Sequence, residues 1–183
     1  YQSALLAKVC VGIYVVLSGY GLAESIKHKA LDLVAFYKRR VSKLYLNYWF
    51  IALLFIPIGT LFMGRTLESV FGEHAYFGLL IQMLGLHMFT DVSYGYNATW
   101  WFMSLIIVLY AIFPLVFKLT KQFHLWFLAF CALLLFVPIP LVNDWIFPFT
   151  VGVYLSQKNG FIEMIKWLDK QGAWRFVTLG VAT

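Results

Sequence analysis

TWWFMSLIIVLYAIFPLVF, Thr99 to Phe117, runs for nineteen residues without a charged side chain. A bilayer core about 30 Å thick asks for about 20 such residues in a helix, because lipid offers no partner to backbone N–H and C=O groups. The pattern recurs on either side. Leu44 to Met63 carries no charge, and Phe123 to Val142 has only His124 near its start. Ser3 to Ala23 is another span, interrupted by Lys8. Trp145 to Gln157 is short and contains Pro148, which predicts an irregular span that borrows length from its flanks. Trp174 to Thr183 reads as the start of a further, truncated span. Tyr76 to Phe89 is too short to cross and reads as re-entrant or interfacial. The expected fold is all-α: a polytopic membrane helical bundle of about five full spans, that re-entrant or interfacial segment and the truncated last span.

Composition leads to the same class. Of 183 residues, 62% are hydrophobic and only 12% charged, against about 25% charged in soluble domains. Covering so much apolar surface with charge is impossible here, so soluble enzymes, nucleic-acid binders and disordered regulators drop out. The partner this composition demands is the lipid bilayer. No repeat or low-complexity linker appears, so residues 1–183 read as one membrane domain. Because the chain opens at Tyr1 and closes inside an apolar run, that domain reads as truncated at both ends. Cys10 and Cys131 lie in apolar stretches without CxxC spacing. They give no disulfide framework and no metal site, and are expected to be small core residues.

Lysine and arginine orient the spans, since loops rich in them stay in the cytoplasm. Lys27, Lys29, Lys38, Arg39, Arg40 and Lys43 follow the first span; Lys118 with Lys121, and Lys158, Lys166 and Lys170, form the later basic groups. Glu68, Glu73, Asp91 and Asp144 fall on the alternate loops. The alternation holds only if Ser3 to Ala23 runs from outside to inside and Tyr76 to Phe89 enters and returns or lies at the interface. A multi-pass protein of the cell's plasma or inner membrane is expected. Lys158 to Gly172, with Phe161, Ile162, Ile165 and Leu168 at helical spacing, reads as an amphipathic helix on the inner leaflet.

Chemistry is concentrated in FYKRRVSKLYLNYW, Phe36 to Trp49. If this stretch opens the second span as a helix, Arg39, Arg40 and Lys43 share one face at the cytoplasmic mouth. That arrangement suits phosphate oxygens, such as the pyrophosphate and ribose phosphate of a bulky donor like acyl-coenzyme A. The alternative is that these cations hold the loop inside and touch anionic lipid. Asn97 to Ser104, followed by Tyr110, is the second candidate. Trp100 and Trp101 either anchor the helix at the interface or stack on sugar rings, and Ser104 and Tyr110 supply hydroxyls. Asn97-Ala98-Thr99 also matches a short glycosylation sequon. Ser18-Gly19-Tyr20 is the third, with Gly12, Gly19 and Gly21 permitting close helix packing. Lys8 is either an intramembrane functional cation or snorkels outward. His28, His74, His87 and His124 are not paired in sequence with an acid or a nucleophile, so no catalytic base is assigned among them. HExxH, G-x-S-x-G and Walker motifs are all missing from the chain, which removes the common metal, hydrolase and nucleotide readings.

In order, these features resemble the membrane acyltransferase-3 family, whose members O-acylate bacterial surface and secreted carbohydrates. VCVGIYVVLSGYGL (Val9 to Leu22), FYKRRVSKLYLNYW and NATWWFMSLIIVLYAIFPL (Asn97 to Leu115) carry the likeness, and FPFTVGVYLS (Phe147 to Ser156) is a weaker fourth block. Lys43 departs from a usual arginine and Leu46 from a usual proline. The resemblance implies transfer of an acyl group, commonly acetyl, from cytoplasmic acyl-coenzyme A as co-substrate to a hydroxyl of a cell-surface or lipid-linked carbohydrate. It also implies that the catalytic histidine sits on a span upstream of Tyr1, with a cation about three helical turns before it. On that reading Lys38, Arg39, Arg40 and Lys43 bind the donor, Trp100, Trp101, Ser104 and Tyr110 face the acceptor, and Ser18, Gly19 and Tyr20 are a structural motif. No bound cofactor is expected. The rival reading, from another class, is a non-enzymatic polysaccharide or lipid transporter subunit.

Overall fold

The structure is a computed structural model that describes residues 2–27, 32–86, 89, 95–97, 100–137 and 142–170. Trp174 to Thr183, His28, Lys29, His87 and Asp91 lie outside the described residues. Every described element is helical: α1 (Gln2–Ile26), α2 (Leu33–Met63), α3 (Leu67–Phe71), α4 (Ala75–Met83), α5 (Trp101–Phe123), α6 (Leu125–Leu133), α7 (Val142–Gln157) and α8 (Gly160–Lys170). Among the described residues three helices are long and apolar enough to cross a membrane: α1 over Lys8–Ile26, α2, and α5.

Two packing units divide the chain, Tyr1–Ala30 with Ile112–Thr183, and Leu31–Ala111. In the first unit α1 lies against α7. Glycines make that approach possible. A Cβ on Gly19 would run into the carbonyl of Phe149, and one on Gly152 would run into the carbonyl of Val16 and the amide of Tyr20. Small residues that let backbones meet are the usual means of helix association in lipid, where apolar burial drives nothing. One end of the contact is closed by polar groups. Lys27 Nζ donates to the Ser156 carbonyl at 2.6 Å and to Asn159 Oδ1 at 2.5 Å, and Ser156 Oγ donates to Glu24 Oε2 at 2.7 Å. The carbonyls at the end of α7 thus acquire a cation, which suits a helix C-terminus. Asn159, with φ 55°, then turns the chain into α8. Further along, Phe113 of α5 meets Phe149 edge-on, and Thr150 of α7 meets the buried Cys131 of α6. Cys10, expected in the core, is exposed instead, because it sits on the face of α1 turned from α7.

Two expected elements are shorter than the apolar runs that suggested them. The run from Phe123 to Val142 opens with a break at His124, φ 49°, and its helix ends in a 3-10 turn, Leu134–Phe136. Val137 is extended, φ −96° and ψ 125°. The residue before a proline is pushed out of the helical region, and Pro138 comes next. The amphipathic stretch expected over Lys158 to Gly172 is helical over Gly160–Lys170, with Glu163, Lys166, Asp169 and Lys170 exposed.

The second unit is organised along α2. Its 31 residues, capped by Asp32 Oδ1 on the amides of Val34 and Ala35, make one continuous helix from the basic stretch to Met63. At 1.5 Å per residue that is about 46 Å, of which Leu44 to Met63 alone accounts for about 30 Å. The basic residues therefore stand on the surplus length at the membrane boundary. Gly64, φ 63°, ends the helix. After α3 the chain runs back along α2 as α4, turns, and returns. Tyr96 packs its ring on Gly59 and donates its hydroxyl to the Arg65 carbonyl at 3.0 Å. Only then does α5 descend, from Trp100 beside Tyr48 to Ala111, whose carbonyl accepts from the Tyr37 hydroxyl at 2.9 Å. The end of α4 at Tyr45 and Tyr48 and the return to Gly59 at Tyr96 are the two ends that an entering and returning segment would join. Helix α5 is thereby antiparallel to α2.

Candidate functional site

The four cations sit where α2 exceeds the bilayer. Lys38, Arg39 and Lys43 are exposed and Arg40 half-exposed. At about 100° per residue, Arg39, Lys43 and Arg40 share a face about 100° wide, while Lys38 lies to one side of it. Among the described residues no carboxylate comes within ion-pairing distance of any of the four; the ion pair the structure contains joins Lys27 and Glu24. Four uncompensated positive charges within six positions form a surface for a polyanion, and the two guanidinium forks suit phosphate oxygens.

The opposite flank of α2 carries Tyr45, Tyr48 and Trp49, which all reach the end of α4. That end is a Schellman turn: Leu86 N bonds to the Ile81 carbonyl at 3.0 Å and Gly85 N to the Gln82 carbonyl at 2.9 Å, with Gly85 at φ 67°. The turn requires glycine, since φ is positive and a Cβ there would also press on Met103. It leaves the carbonyls of residues 83–85 to be satisfied from outside the helix. Trp49 Nε1 donates to Met83 at 3.0 Å, the Tyr45 hydroxyl to Leu84 at 2.7 Å, and the Ser104 hydroxyl to Gly85. The Tyr48 hydroxyl adds a bond to Gln82 at 2.6 Å. Sequence reading missed this arrangement; the one local signal for it was Leu84-Gly85 interrupting an apolar run.

The residues expected to face the acceptor separate here. Trp100 is 5% exposed and meets the Tyr48 ring edge-on at 5.5 Å, in a cluster with Ala52, Tyr96 and Met103. Ser104, one turn further, is fully buried. Both belong to the packed interior of the second unit. Trp101 is half-buried and edge-on to Phe102 at 5.9 Å. Tyr110 is half-buried and about a third of a turn away from Ser104 around α5, so the two hydroxyls do not share a face. Of the third motif, Gly19 is buried in the α1 to α7 crossing, with Ser18 and Tyr20 half-buried beside it. His74 and His124 are exposed, and Lys8 is exposed on α1.

A family model described as an acyltransferase domain, acyltransferase 3, matches residues 1–182. No curated protein and no solved structure matches the chain.

Proposed function

This chain belongs to the acyltransferase-3 family and is a membrane acyltransferase, and on that premise we propose that it moves an acyl group, acetyl in the simplest case, from acyl-coenzyme A to a hydroxyl of a cell-surface or lipid-linked carbohydrate. The observation that carries the donor half is the set of uncompensated cations at the start of α2. Coenzyme A presents a pyrophosphate and a ribose phosphate, and Arg39, Arg40 and Lys43, which share one face, supply charge-assisted bonds to them, with Lys38 to one side. Bound there, the donor's thioester arm has to travel along α2 toward the aromatic cluster. Tyr48 and Trp100 lie about 13 Å further along the axis than Arg39. On the acceptor side, Trp101 and Tyr110 are the half-buried candidates for sugar stacking and hydrogen bonding, while Trp100 and Ser104 hold the interior that positions them.

The chemistry required is removal of a proton from the acceptor hydroxyl and attack on the thioester carbonyl, with coenzyme A thiolate leaving. The membrane localisation follows from the three apolar spans, and placement in the plasma or inner membrane is part of the same proposal, because there a cytoplasmic donor and a cell-surface acceptor meet. The test is incubation of the purified membrane protein with acetyl-labelled coenzyme A and an oligosaccharide fraction of the cell envelope. Label transferred to the carbohydrate as an alkali-labile ester is the expected result. Failure of coenzyme A to protect the protein against heat or proteolysis, together with no transfer, would remove the donor assignment.

A further inference from the structure

Beside the turn at Gly85, the second unit holds a cleft of about 480 Å³ lined by Val41, Ser42, Tyr45, Leu46, Trp49 and Leu84. Its size falls within the range of ligand sites, but its lining is unusual in offering a ligand nothing polar. Each polar group of the lining side chains is already engaged: the Ser42 hydroxyl on the Lys38 carbonyl at 2.6 Å, the Tyr45 hydroxyl on Leu84 and the Trp49 N–H on Met83. An occupant must therefore place hydrocarbon here. Coenzyme A's pantetheine arm, with two amide carbonyls and a hydroxyl, would find no free side-chain donor among these residues.

Helical phase says what stands at the mouth. Ser42, Tyr45 and Trp49 follow Lys38 at four, seven and eleven positions, one straight stripe along α2. Side chains on a helix lean toward its N-terminus, so the exposed Lys38 ammonium projects from the cleft's basic end toward the membrane boundary. Arg39 stands over the Leu46 edge, whereas Arg40 lies nearly opposite. The stripe from Lys38 to Trp49 is about 16 Å long.

We infer that this cleft is a binding site for one anionic phospholipid, with an acyl chain lying along Tyr45, Leu46 and Trp49 and its phosphate at Lys38. The basic stretch then serves two anions: Lys38 on the cleft side takes a lipid phosphate, and Arg39, Arg40 and Lys43 keep the face around the corner. A lipid held this way packs the turn at Gly85 from the bilayer side and covers the Tyr45 and Trp49 bonds that fix it.

The test uses the purified full chain in detergent and phosphatidylglycerol carrying a photoactivatable group in one acyl chain. Crosslinks located by mass spectrometry should fall between Val41 and Trp49 or at Leu84, and unlabelled phosphatidylglycerol should compete while phosphatidylcholine does not. Lys38→Gln should weaken binding about tenfold, the loss of one charge-assisted contact. Arg40→Gln should leave it unchanged. Leu46→Trp, which fills the cleft, should abolish the crosslink while the thermal midpoint holds; Val41→Phe is the second filling variant if Leu46→Trp does not fold. Equal competition by phosphatidylcholine, an undiminished crosslink in Lys38→Gln, or displacement at lower concentration by palmitoyl-coenzyme A or a polyprenyl phosphate would each overturn the assignment.

Discussion

The Tyr48 hydroxyl donates to the Gln82 carbonyl across 2.6 Å, linking the midpoint of the longest helix to the end of a short one 34 residues later. Its neighbours make the link a clamp. Tyr45 and Trp49 take the next two carbonyls from the same helix, and Ser104 takes the Gly85 carbonyl from α5. A helix that stops inside a membrane exposes acceptors that lipid cannot satisfy, so a re-entrant segment is stable only where neighbouring side chains supply donors. Three polar-tipped aromatics and one serine supply such donors at the end of α4.

Ser104→Ala should therefore destabilise the protein. The variant leaves the Gly85 carbonyl in a buried site without its hydroxyl donor, and such a loss costs about 1–3 kcal/mol. Thermal unfolding in detergent should show the drop, and Ser104→Cys, a weaker donor, should fall between. If Ser104 instead acted only on the acceptor, Ser104→Ala would unfold at the wild-type temperature and lose turnover alone. Tyr45→Phe should lower the midpoint in the same way, because the ring is retained and only the bond to Leu84 is lost.

Glycine substitutions in α1 and α7 should sort by what faces them. Gly19→Ala and Gly152→Ala drive a methyl group into backbone, which cannot yield by a rotamer change, so each should cost about 1–3 kcal/mol. Gly12→Ala and Gly21→Ala meet nothing within 4 Å, and should be neutral or stabilise by up to about 1 kcal/mol through helix propensity. Unfolding midpoints of the four variants provide the check. A shared drop would mean that the glycines matter for flexibility rather than for the crossing.

Locally determined features of the molecule were legible in the sequence. Long apolar runs located α1, α2 and α5 because the bilayer imposes length and hydrophobicity locally. The helical reading of Phe36 to Trp49 was equally local, and Asp32 supplies the cap that extends it. Pro138 was also in plain sight, yet the apolar run across it suggested one long span, and α6 stops short for that reason. What was not legible was pairing. Ser104 and Trp100 carry the same letters whatever they pack against, and their contacts are with Gly85 and Tyr48, distant in sequence. Tyr96 against Gly59 is a contact of the same kind, with no local signature.

Donor binding gives a separate test of the basic stretch. Arg39→Ala and Arg40→Ala should each weaken acyl-coenzyme A binding by the value of one charge-assisted contact, about 1.5–3 kcal/mol. Because both side chains project from the exposed or half-exposed face of α2, folding should survive. Isothermal titration of the variants with coenzyme A, repeated at higher ionic strength, should show a loss that salt partly masks in the wild type. Unchanged affinity in both would leave these arginines as orienting charges only.

The last prediction concerns sidedness. Within the second unit α5 is antiparallel to α2, since Trp100 lies at Tyr48 and Ala111 at Tyr37, and between them the chain returns to Arg65 before descending. Lys118 and Lys121 come later on α5, and the rule that basic loops stay in the cytoplasm assigns them to the same side of the membrane as Lys38 to Lys43. Had α4 crossed, the start of α5 would run parallel to α2, against the pairing of Trp100 with Tyr48 and of Ala111 with Tyr37. Single cysteines at exposed positions, Ser69→Cys after α2 and Lys121→Cys near the end of α5, should then react from opposite faces of the membrane in a background with Cys10 and Cys131 replaced by alanine. An impermeant maleimide added to intact cells should label position 69 and spare position 121 until the membrane is opened. Labelling of both from outside would mean that Tyr76 to Phe89 crosses, and the clamp around Gly85 would then need another explanation.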